Sequence, residues 1–333
     1  MGNINNCCVN EKIKMDDNKK IFQINRIKEN KDKSTNSSDK MEDNLNNGEY
    51  QLLSYDIEEN TLFKYIVKIP IINSLKGISE LNFNSKLYLC GTSSVNEDAS
   101  SYLFQITFNN LNTQIMVSSL YAHYYPSLIS INRCKIICIG GKNQTLCELY
   151  DIDTHHWTNI PELPEERYKC TLCFDYKNKF IYLFGGINNR KNSINENFIE
   201  KDSILRLNTK NYISNSWEKI LIESRIENKL LTRISSAALF LNENNIIIIG
   251  GENENGKILK NIIKYNISEY SVSLTGKNLD FPSKFTNQST IVDKNEERNF
   301  YYFFDSKNNI HNINKLHYLS TSNNDELKIN MKS

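Results

Sequence analysis

The stretch that decides the fold is LPEERYKCTLCFDYKNKFIYLFGG, residues 163–186. Residues 168–176 are a β-favouring run, residues 177–179 a polar turn, and residues 180–184 a second apolar run that ends at two glycines. This pattern predicts a β-hairpin. The second run is apolar throughout, as expected for a strand buried on both faces. Glycines directly after it allow positive φ angles or the close approach of another backbone segment.

The same hairpin pattern recurs four more times after residue 50. The copies are LNFNSKLYLCG at 81–91, LISINRCKIICIGG at 128–141, SAALFLNENNIIIIGG at 236–251 and STIVDKNEERNFYYFFD at 289–305. Three of the five hairpins end in Gly-Gly, with the second glycine at 141, 186 or 251. A repeat of roughly 45 to 65 residues indicates a solenoid or a propeller.

One copy carries a more specific signature. After Gly140-Gly141, Tyr150 and Trp157 fall on the next two strands, and ELPEER at 162–167 forms a turn that ends in Arg167. This arrangement resembles the kelch-repeat family, whose units have about 50 residues. The resemblance implies an all-β fold, a kelch-type β-propeller of five to six blades over residues 50–320.

The other repeats match the kelch signature in part. Leu205 or Leu207 stands in place of the Tyr in one repeat, and Val272 stands near the Trp position in the next. The first and last hairpins lack the double glycine and have Gly91 and Asp305 instead. The resemblance assigns a structural role to Gly140, Gly141, Tyr150, Trp157, Arg167, Gly185, Gly186, Trp217, Gly250, Gly251 and Tyr265.

Composition separates the two ends of the chain from the repeats. Residues 28–48 have only Met41 and Leu45 as large apolar side chains, too few to offset the entropy cost of ordering. We therefore predict a disordered tail over residues 1–49 and a polar C-terminal tail over 321–333. Ile residues at 21, 24 and 27 also permit a short amphipathic helix, although a polar tail is the preferred interpretation.

The way in which the ring closes has two alternatives. Residues 50–57 and 61–69 form a strand pair that no Gly-Gly hairpin precedes. In a five-bladed ring, the C-terminal hairpin at 289–305 joins this pair, because a propeller pairs its first and last blades. If residues 311–320 instead complete their own blade, the N-terminal pair belongs to a sixth, irregular blade.

The N-terminus, MGNINNCC, resembles a lipidation signal. Gly2 after the initiator Met is the acceptor that N-myristoylation requires, although Asn6 stands where Ser or Thr is usual. Cys7 and Cys8 follow as palmitoylation acceptors. One myristoyl chain binds membranes only with K on the order of 10⁴ M⁻¹, so a second lipid provides stable anchoring. We predict a cytoplasmic protein attached to the cytosolic face of a membrane.

Charge and hydropathy exclude several classes of protein. A net charge of +1 and a pI of about 7.5 do not indicate a nucleic-acid partner. The sequence contains no run of 18 apolar residues and no apolar segment typical of a secretory signal. We therefore expect its eight cysteines to be reduced thiols.

The remaining chemically distinctive residues favour structural roles. Cys170 and Cys173 have CxxC spacing, but residues three apart on a strand point to opposite faces. The adjacent His155 and His156 would also point to opposite faces of a strand. GGENENGK at 250–257 lies between two strands rather than before a helix that would bind phosphate. We predict no metal, no cofactor and no catalytic residue.

The kelch resemblance implies protein binding or scaffolding through loops at one end of the propeller. Residues 187–202 and 223–233 are longer than the corresponding loops elsewhere, which makes them candidate recognition loops. Two alternatives remain open: a propeller enzyme of the oxidase, isomerase or lyase type with a site at the central channel, and a substrate adaptor for an E3 ubiquitin ligase. We expect a monomer that binds protein partners through its loops and a membrane through its lipids.

Overall fold

The structure is a computed structural model of an all-β chain. It describes residues 20–26, 49–56, 59, 61–69, 75, 77–84, 86–91, 100–107, 111–188, 203–212, 215–222, 230–285, 291–295, 298–304, 310–316 and 327–332. These residues form one three-stranded sheet and five four-stranded antiparallel sheets, which we number I to VI in chain order.

Sheets I to III cover the first half of the chain. Sheet I has the order β1 (Lys20–Arg26), β2 (Glu49–Asp56), β3 (Thr61–Lys68). Sheet II has the order β4 (Ser79–Phe83), β5 (Lys86–Cys90), β6 (Leu103–Thr107), β7 (Asn112–Ile115). Sheet III has the order β8 (Ser127–Asn132), β9 (Lys135–Gly141), β10 (Gln144–Asp151), β11 (His156–Ile160).

Sheets IV to VI cover the second half. Sheet IV has the order β12 (Thr171–Asp175), β13 (Phe180–Phe184), β14 (Ser203–Asn208), β15 (Glu218–Leu221). A short pair, β16 (Arg233–Ile234) and β19 (Glu252–Asn253), flanks sheet V, which has the order β17 (Ala237–Asn242), β18 (Asn245–Ile249), β20 (Asn261–Asn266), β21 (Ser271–Asn278). Sheet VI has the order β22 (Ile291–Asn295), β23 (Arg298–Phe304), β24 (Ile310–Leu316), β25 (Leu327–Lys332).

Asn and Asp side chains at strand ends form the tight turns of the hairpins. Asn132 Oδ1 accepts the backbone N–H of Cys134 at 3.0 Å, and Asp175 Oδ1 accepts that of Lys177 at 2.9 Å. Asn242 Oδ1 accepts the N–H of Asn244 at 3.0 Å in the same way. A short side-chain acceptor replaces a backbone turn bond here, which explains how polar residues between two apolar runs reverse the chain.

Consecutive sheets pack against each other through their first strands and enclose apolar layers. β4 contacts β8, β8 contacts β12, and β12 contacts β17. One layer, between sheets II and III, holds Tyr88, Leu103, Ile136, Tyr150 and Trp157. In sheet I, β1 contacts β4 of sheet II and also β23 of sheet VI, so the first sheet has neighbours at both ends of the chain.

The structure corrects the prediction that residues 1–49 are a disordered tail. Residues 20–26 are neither tail nor helix, because they form β1 and every one of them pairs with a residue of β2. Phe22 and Ile24 pack in one apolar cluster, as expected of residues two apart on a strand, and Gln23 between them is also buried. Glu80 Oε2 accepts the N–H of Ile24 at 3.3 Å, and Asn82 Nδ2 donates to the carbonyl of Phe22 at 2.8 Å. Residues 1–19 and 27–48 lie outside the described part.

The five-bladed closure is also wrong. The C-terminal hairpin, β22 and β23, pairs with β24 and β25 and not with the strands at 50–69. Sheet VI is therefore complete by itself, and the N-terminal strands belong to the separate, irregular sheet I. β25 also lies within residues 321–333, where the sequence analysis expects a polar tail.

Candidate interaction face at the Gly-Gly end

The two ends of the sheets differ in the length of their connections. At the short-turn end, first and second strands of sheets II to V are joined by residues 84–85, 133–134, 176–179 and 243–244. At the opposite end, which we call the Gly-Gly end, lie the Gly-Gly pairs and every connection between consecutive sheets. Those connections are residues 69–78, 116–126, 161–170, 222–236 and 279–290. Long connections on a rigid scaffold commonly carry recognition.

Each Gly-Gly pair holds the connection that leads to the next sheet. The N–H of Gly141 donates to the carbonyl of Arg167 at 3.0 Å, that of Gly186 to Arg233 at 3.1 Å, and that of Gly251 to Ser283 at 2.8 Å. The first glycine of each pair has φ near +59°, and a Cβ there would collide with the same carbonyl oxygen. Glycine is therefore required by both backbone conformation and space.

A hydroxyl at the start of a first strand adds a second link between sheets. Ser79 Oγ donates to the carbonyl of Pro126. Ser127 Oγ donates to the backbone carbonyl of Cys170 at 3.3 Å, and Thr171 Oγ1 donates to that of Ser236 at 3.3 Å. Equivalent contacts thus join sheets II to V in chain order. This indicates that a similar rotation and translation relates each sheet to the next.

Three buried basic side chains lie at the junctions. His123, Arg167 and Arg233 are fully or almost fully buried, and each stands two residues before a non-glycine residue with φ of +51° to +55°. His123 Nδ1 donates to the carbonyl of Gly140 at 2.7 Å, and Arg233 Nη1 donates to that of Gly250 at 2.9 Å. Only Arg167 was recognised from the sequence.

The charges of these side chains are balanced differently. His123 Nε2 lies 2.7 Å from Glu148 Oε2, and Glu148 also accepts the N–H of Leu120 at 2.7 Å. Burial by itself lowers the pKa of His123, but hydrogen bonds to Glu148 and Gly140 raise it above its ordinary value. Both ring nitrogens lie within hydrogen-bond distance of an acceptor, an arrangement that favours the imidazolium form of His123.

The two buried arginines differ in the groups that accept their hydrogen bonds. Arg167 pairs with Glu165 at 2.6 Å. Within the described residues Arg233 has no carboxylate partner, and burial lowers its pKa to about 9. Its Nε donates to the carbonyl of Leu230 at 2.7 Å. Backbone carbonyls therefore provide the acceptors for this guanidinium.

A tyrosine cluster lies beside these junctions. The ring centroids of Tyr124 and Tyr125 are 4.7 Å apart, and those of Tyr125 and Tyr168 are 6.2 Å apart. Lys169 Nζ is 4.7 Å from the centroid of Tyr125. Tyr124 and Tyr168 are buried and Tyr125 is half-buried, so this cluster packs the junctions and is not an open surface.

The Tyr and Trp positions of the sequence signature lie in the packed layers. Tyr150 and Trp157 have ring centroids 4.9 Å apart between sheets II and III, and Tyr265 is buried between sheets IV and V. Trp157 Nε1 donates to the carbonyl of Val117 at 2.8 Å. Trp217 Nε1 donates to that of Pro161 at 2.9 Å. Each Trp therefore binds the connection that enters its own sheet.

The N-terminal segment joins the fold at the short-turn end. The backbone of Lys20, the first residue of β1, pairs with that of Asp56, which lies next to the turn between β2 and β3. Along β1, Phe22 contacts Asn82 near the short-turn end of β4, and Ile24 contacts Glu80 nearer its Gly-Gly end. The lipidation candidates Gly2, Cys7 and Cys8 lie outside the described residues.

The candidate loops start and finish at the Gly-Gly end. Residues 189–202 and 223–229 lie outside the described part, but their flanking residues are placed. Ile187 pairs with Tyr168, and Leu231 lies just before Arg233 at the junction between sheets IV and V. Both insertions therefore leave the fold on the same side as the tyrosine cluster.

The chemically distinctive pairs do not form a site. Cys170 and Cys173 belong to different apolar layers, and burial raises the pKa of Cys170 to about 12. His155 Nδ1 and the hydroxyl of Tyr150 form a hydrogen bond of 2.9 Å. Across the described ranges, no group of three or more His, Cys, Asp or Glu side chains is arranged to hold a metal ion.

Comparison with known proteins adds no assignment. No family model matches the chain, and a search of curated proteins finds no significant similarity. Among the residues that the structure describes, no helix is both long and apolar enough to cross a membrane.

Proposed function

We propose that the chain is a six-bladed, kelch-type β-propeller that binds protein partners at the Gly-Gly end while N-terminal lipids hold it at the cytosolic face of a membrane. The observation that carries the fold is the junction repeated at Gly141, Gly186 and Gly251, because equal contacts between successive sheets generate a ring or a helix. Contacts of β1 with β4 and β23 favour the ring.

The length of the connections supports protein binding at the Gly-Gly end. The connections between sheets there are long, whereas those between first and second strands at the short-turn end are tight. The first strands are committed to packing between sheets, so connections and not strands make the contacts.

The position of β1 supports an orientation of the anchored protein. β1 begins at Lys20 at the short-turn end, where the backbone of Lys20 pairs with that of Asp56. A lipid anchor at Gly2, Cys7 and Cys8 therefore places the short-turn end nearer the membrane. The Gly-Gly end then points into the cytosol, where soluble partners can reach it.

Comparative capture from cells tests this proposal. One variant has residues 189–202 replaced by a short Gly-Ser linker, and a control variant has Lys177→Ala and Glu243→Ala, which removes an exposed ion pair at the short-turn end. We expect proteins captured by the wild type to be lost from the loop variant and kept by the control, with both variants folded. Loss from the control alone would assign binding to the other end.

A further inference from the structure

Two buried thiols face each other across the boundary between sheets II and III. Cys90 is the last residue of β5 and Cys138 lies in the middle of β9. Their sulfur atoms are 3.9 Å apart, and both side chains are completely buried. The two residues share the apolar layer that contains Tyr88 and Tyr150. A covalent bond between them would therefore join two sheets.

The surroundings make the two thiols unequal. The hydrogen bond with Cys138 lowers the pKa of Cys90, burial and the negative charge of Glu148 oppose this change, and the charge of His123 and a hydrogen bond from Gly91 favour the thiolate. Burial raises the pKa of Cys138 well above its ordinary value. His123 is itself held by Glu148 and the carbonyl of Gly140. Cys90 is thus the nucleophile of the pair and Cys138 the resolving thiol.

We propose that Cys90 and Cys138 form a peroxide-sensitive thiol pair that closes to a disulfide between sheets II and III. The Cys90 thiolate attacks one peroxide oxygen, the O–O bond breaks, and a sulfenic acid forms while the departing hydroxide takes up a proton and leaves as water. The Cys138 sulfur then attacks the sulfenic sulfur, the S–O bond breaks, and a second water leaves with the Cys138 proton. Overall, two thiols and hydrogen peroxide give one disulfide and two waters.

Other buried thiols provide a contrast. Burial raises the pKa of Cys147 to about 12, and burial likewise raises the pKa of Cys173. These thiols remain protonated, which makes them poor nucleophiles. Cys173 lies in the layer between sheets IV and V, far along the chain from the proposed pair, and serves as a control.

The test uses the purified full-length chain in its folded state. The reduced protein is treated with hydrogen peroxide, remaining thiols are alkylated under denaturing conditions, and non-reduced tryptic peptides are analysed by mass spectrometry. We expect a dithiothreitol-sensitive link between the peptide of residues 136–142 and the peptide that contains Cys90. We expect the same link in Cys173→Ala.

Two variants locate the chemistry. Cys138→Ala should accumulate a Cys90 sulfenic acid that dimedone traps, and Cys90→Ala should give neither the link nor a trapped acid at Cys138. The wild-type readout does not depend on whether these variants fold. Recovery of both wild-type thiols unmodified, or a link that appears only after denaturation, would overturn the proposal.

Discussion

The backbone N–H of Gly186 donates a hydrogen bond to the carbonyl oxygen of Arg233, 3.1 Å away and at the far side of a sheet boundary. Gly186 lies two residues after the second strand of sheet IV, whereas Arg233 leads into sheet V. The equivalent bonds of Gly141 and Gly251 make this contact a unit that the chain repeats. Each unit depends on glycine conformation, on a buried basic residue and on the neighbouring connection.

Gly186→Val should therefore destabilise the fold by about 3 kcal/mol, through a positive φ and overpacking. The φ of Gly186 is +98°, and a Cβ would lie 2.6 Å from Cys170 Sγ. Gly276→Val is the matched control, because its φ is +74° but no atom lies within 4 Å of a Cβ. It should cost about 1 kcal/mol from backbone strain alone. Equal urea midpoints for the two variants would contradict a junction role for Gly186.

Removal of β1 should weaken the whole fold. A chain that begins at Gly48 loses the buried side chains of Phe22 and Ile24, which at about 1.5–3 kcal/mol each amounts to roughly 3–6 kcal/mol. A chain that lacks only residues 2–18 keeps β1 and should unfold as the full chain does. Urea denaturation of both truncated chains measures the difference. Identical stability for the two would show that β1 does not belong to the fold.

The ion pair of His123 and Glu148 should make stability depend on pH. The folded pKa of His123 is raised above 6.5, so the stabilisation is complete below pH 6.5 and is lost as pH rises through the folded pKa. His123→Arg keeps a positive charge throughout this range. The unfolding free energy of the wild type should therefore fall relative to that of His123→Arg as the pH rises above 6.5. A constant difference would exclude titration of His123.

Lipidation should decide location in two steps. Gly2→Ala should lose myristate and, because the protein then never visits the membrane, palmitate as well. Cys7→Ser with Cys8→Ser should keep myristate and bind membranes weakly and reversibly, since one chain gives K on the order of 10⁴ M⁻¹. Metabolic labelling and fractionation compare the variants. Wild-type protein without myristate, or Gly2→Ala retained on membranes like wild type, would remove the anchor from the proposal.

The hairpins could be predicted because their signals are local. All five apolar-turn-apolar stretches are strand pairs, from β4–β5 to β22–β23, and Asn or Asp at strand ends explains the turns in at least three of them. β1 was missed because Ile residues at 21, 24 and 27 suggest helical spacing, whereas Phe22 and Ile24 form the apolar face of the strand. Seven residues give too short a pattern to choose between the two periods.

The candidate site could be predicted only in outline. The loop insertions are visible in the sequence, but the end of the sheets from which they leave is not. Arg167 was recognised from its motif, while the equivalent His123 and Arg233 were missed because their partners are distant in sequence. A usable signal exists, since His123 and Arg167 each stand four residues before a hydroxyl that begins a first strand. Cys90 and Cys138 approach each other only through packing between sheets.

Closure of the ring is the central claim, and the distance between sheets I and VI tests it most directly. Spin labels at Glu59→Cys, beside β3, and Ser322→Cys, between β24 and β25, report that distance by pulsed electron paramagnetic resonance. Labels at Leu111→Cys and Asp153→Cys report the step between neighbouring sheets II and III, with Cys7 and Cys8 replaced by Ser throughout. A closed ring predicts similar distances for the two pairs. A distance between sheets I and VI that is several times the distance between sheets II and III would contradict the propeller.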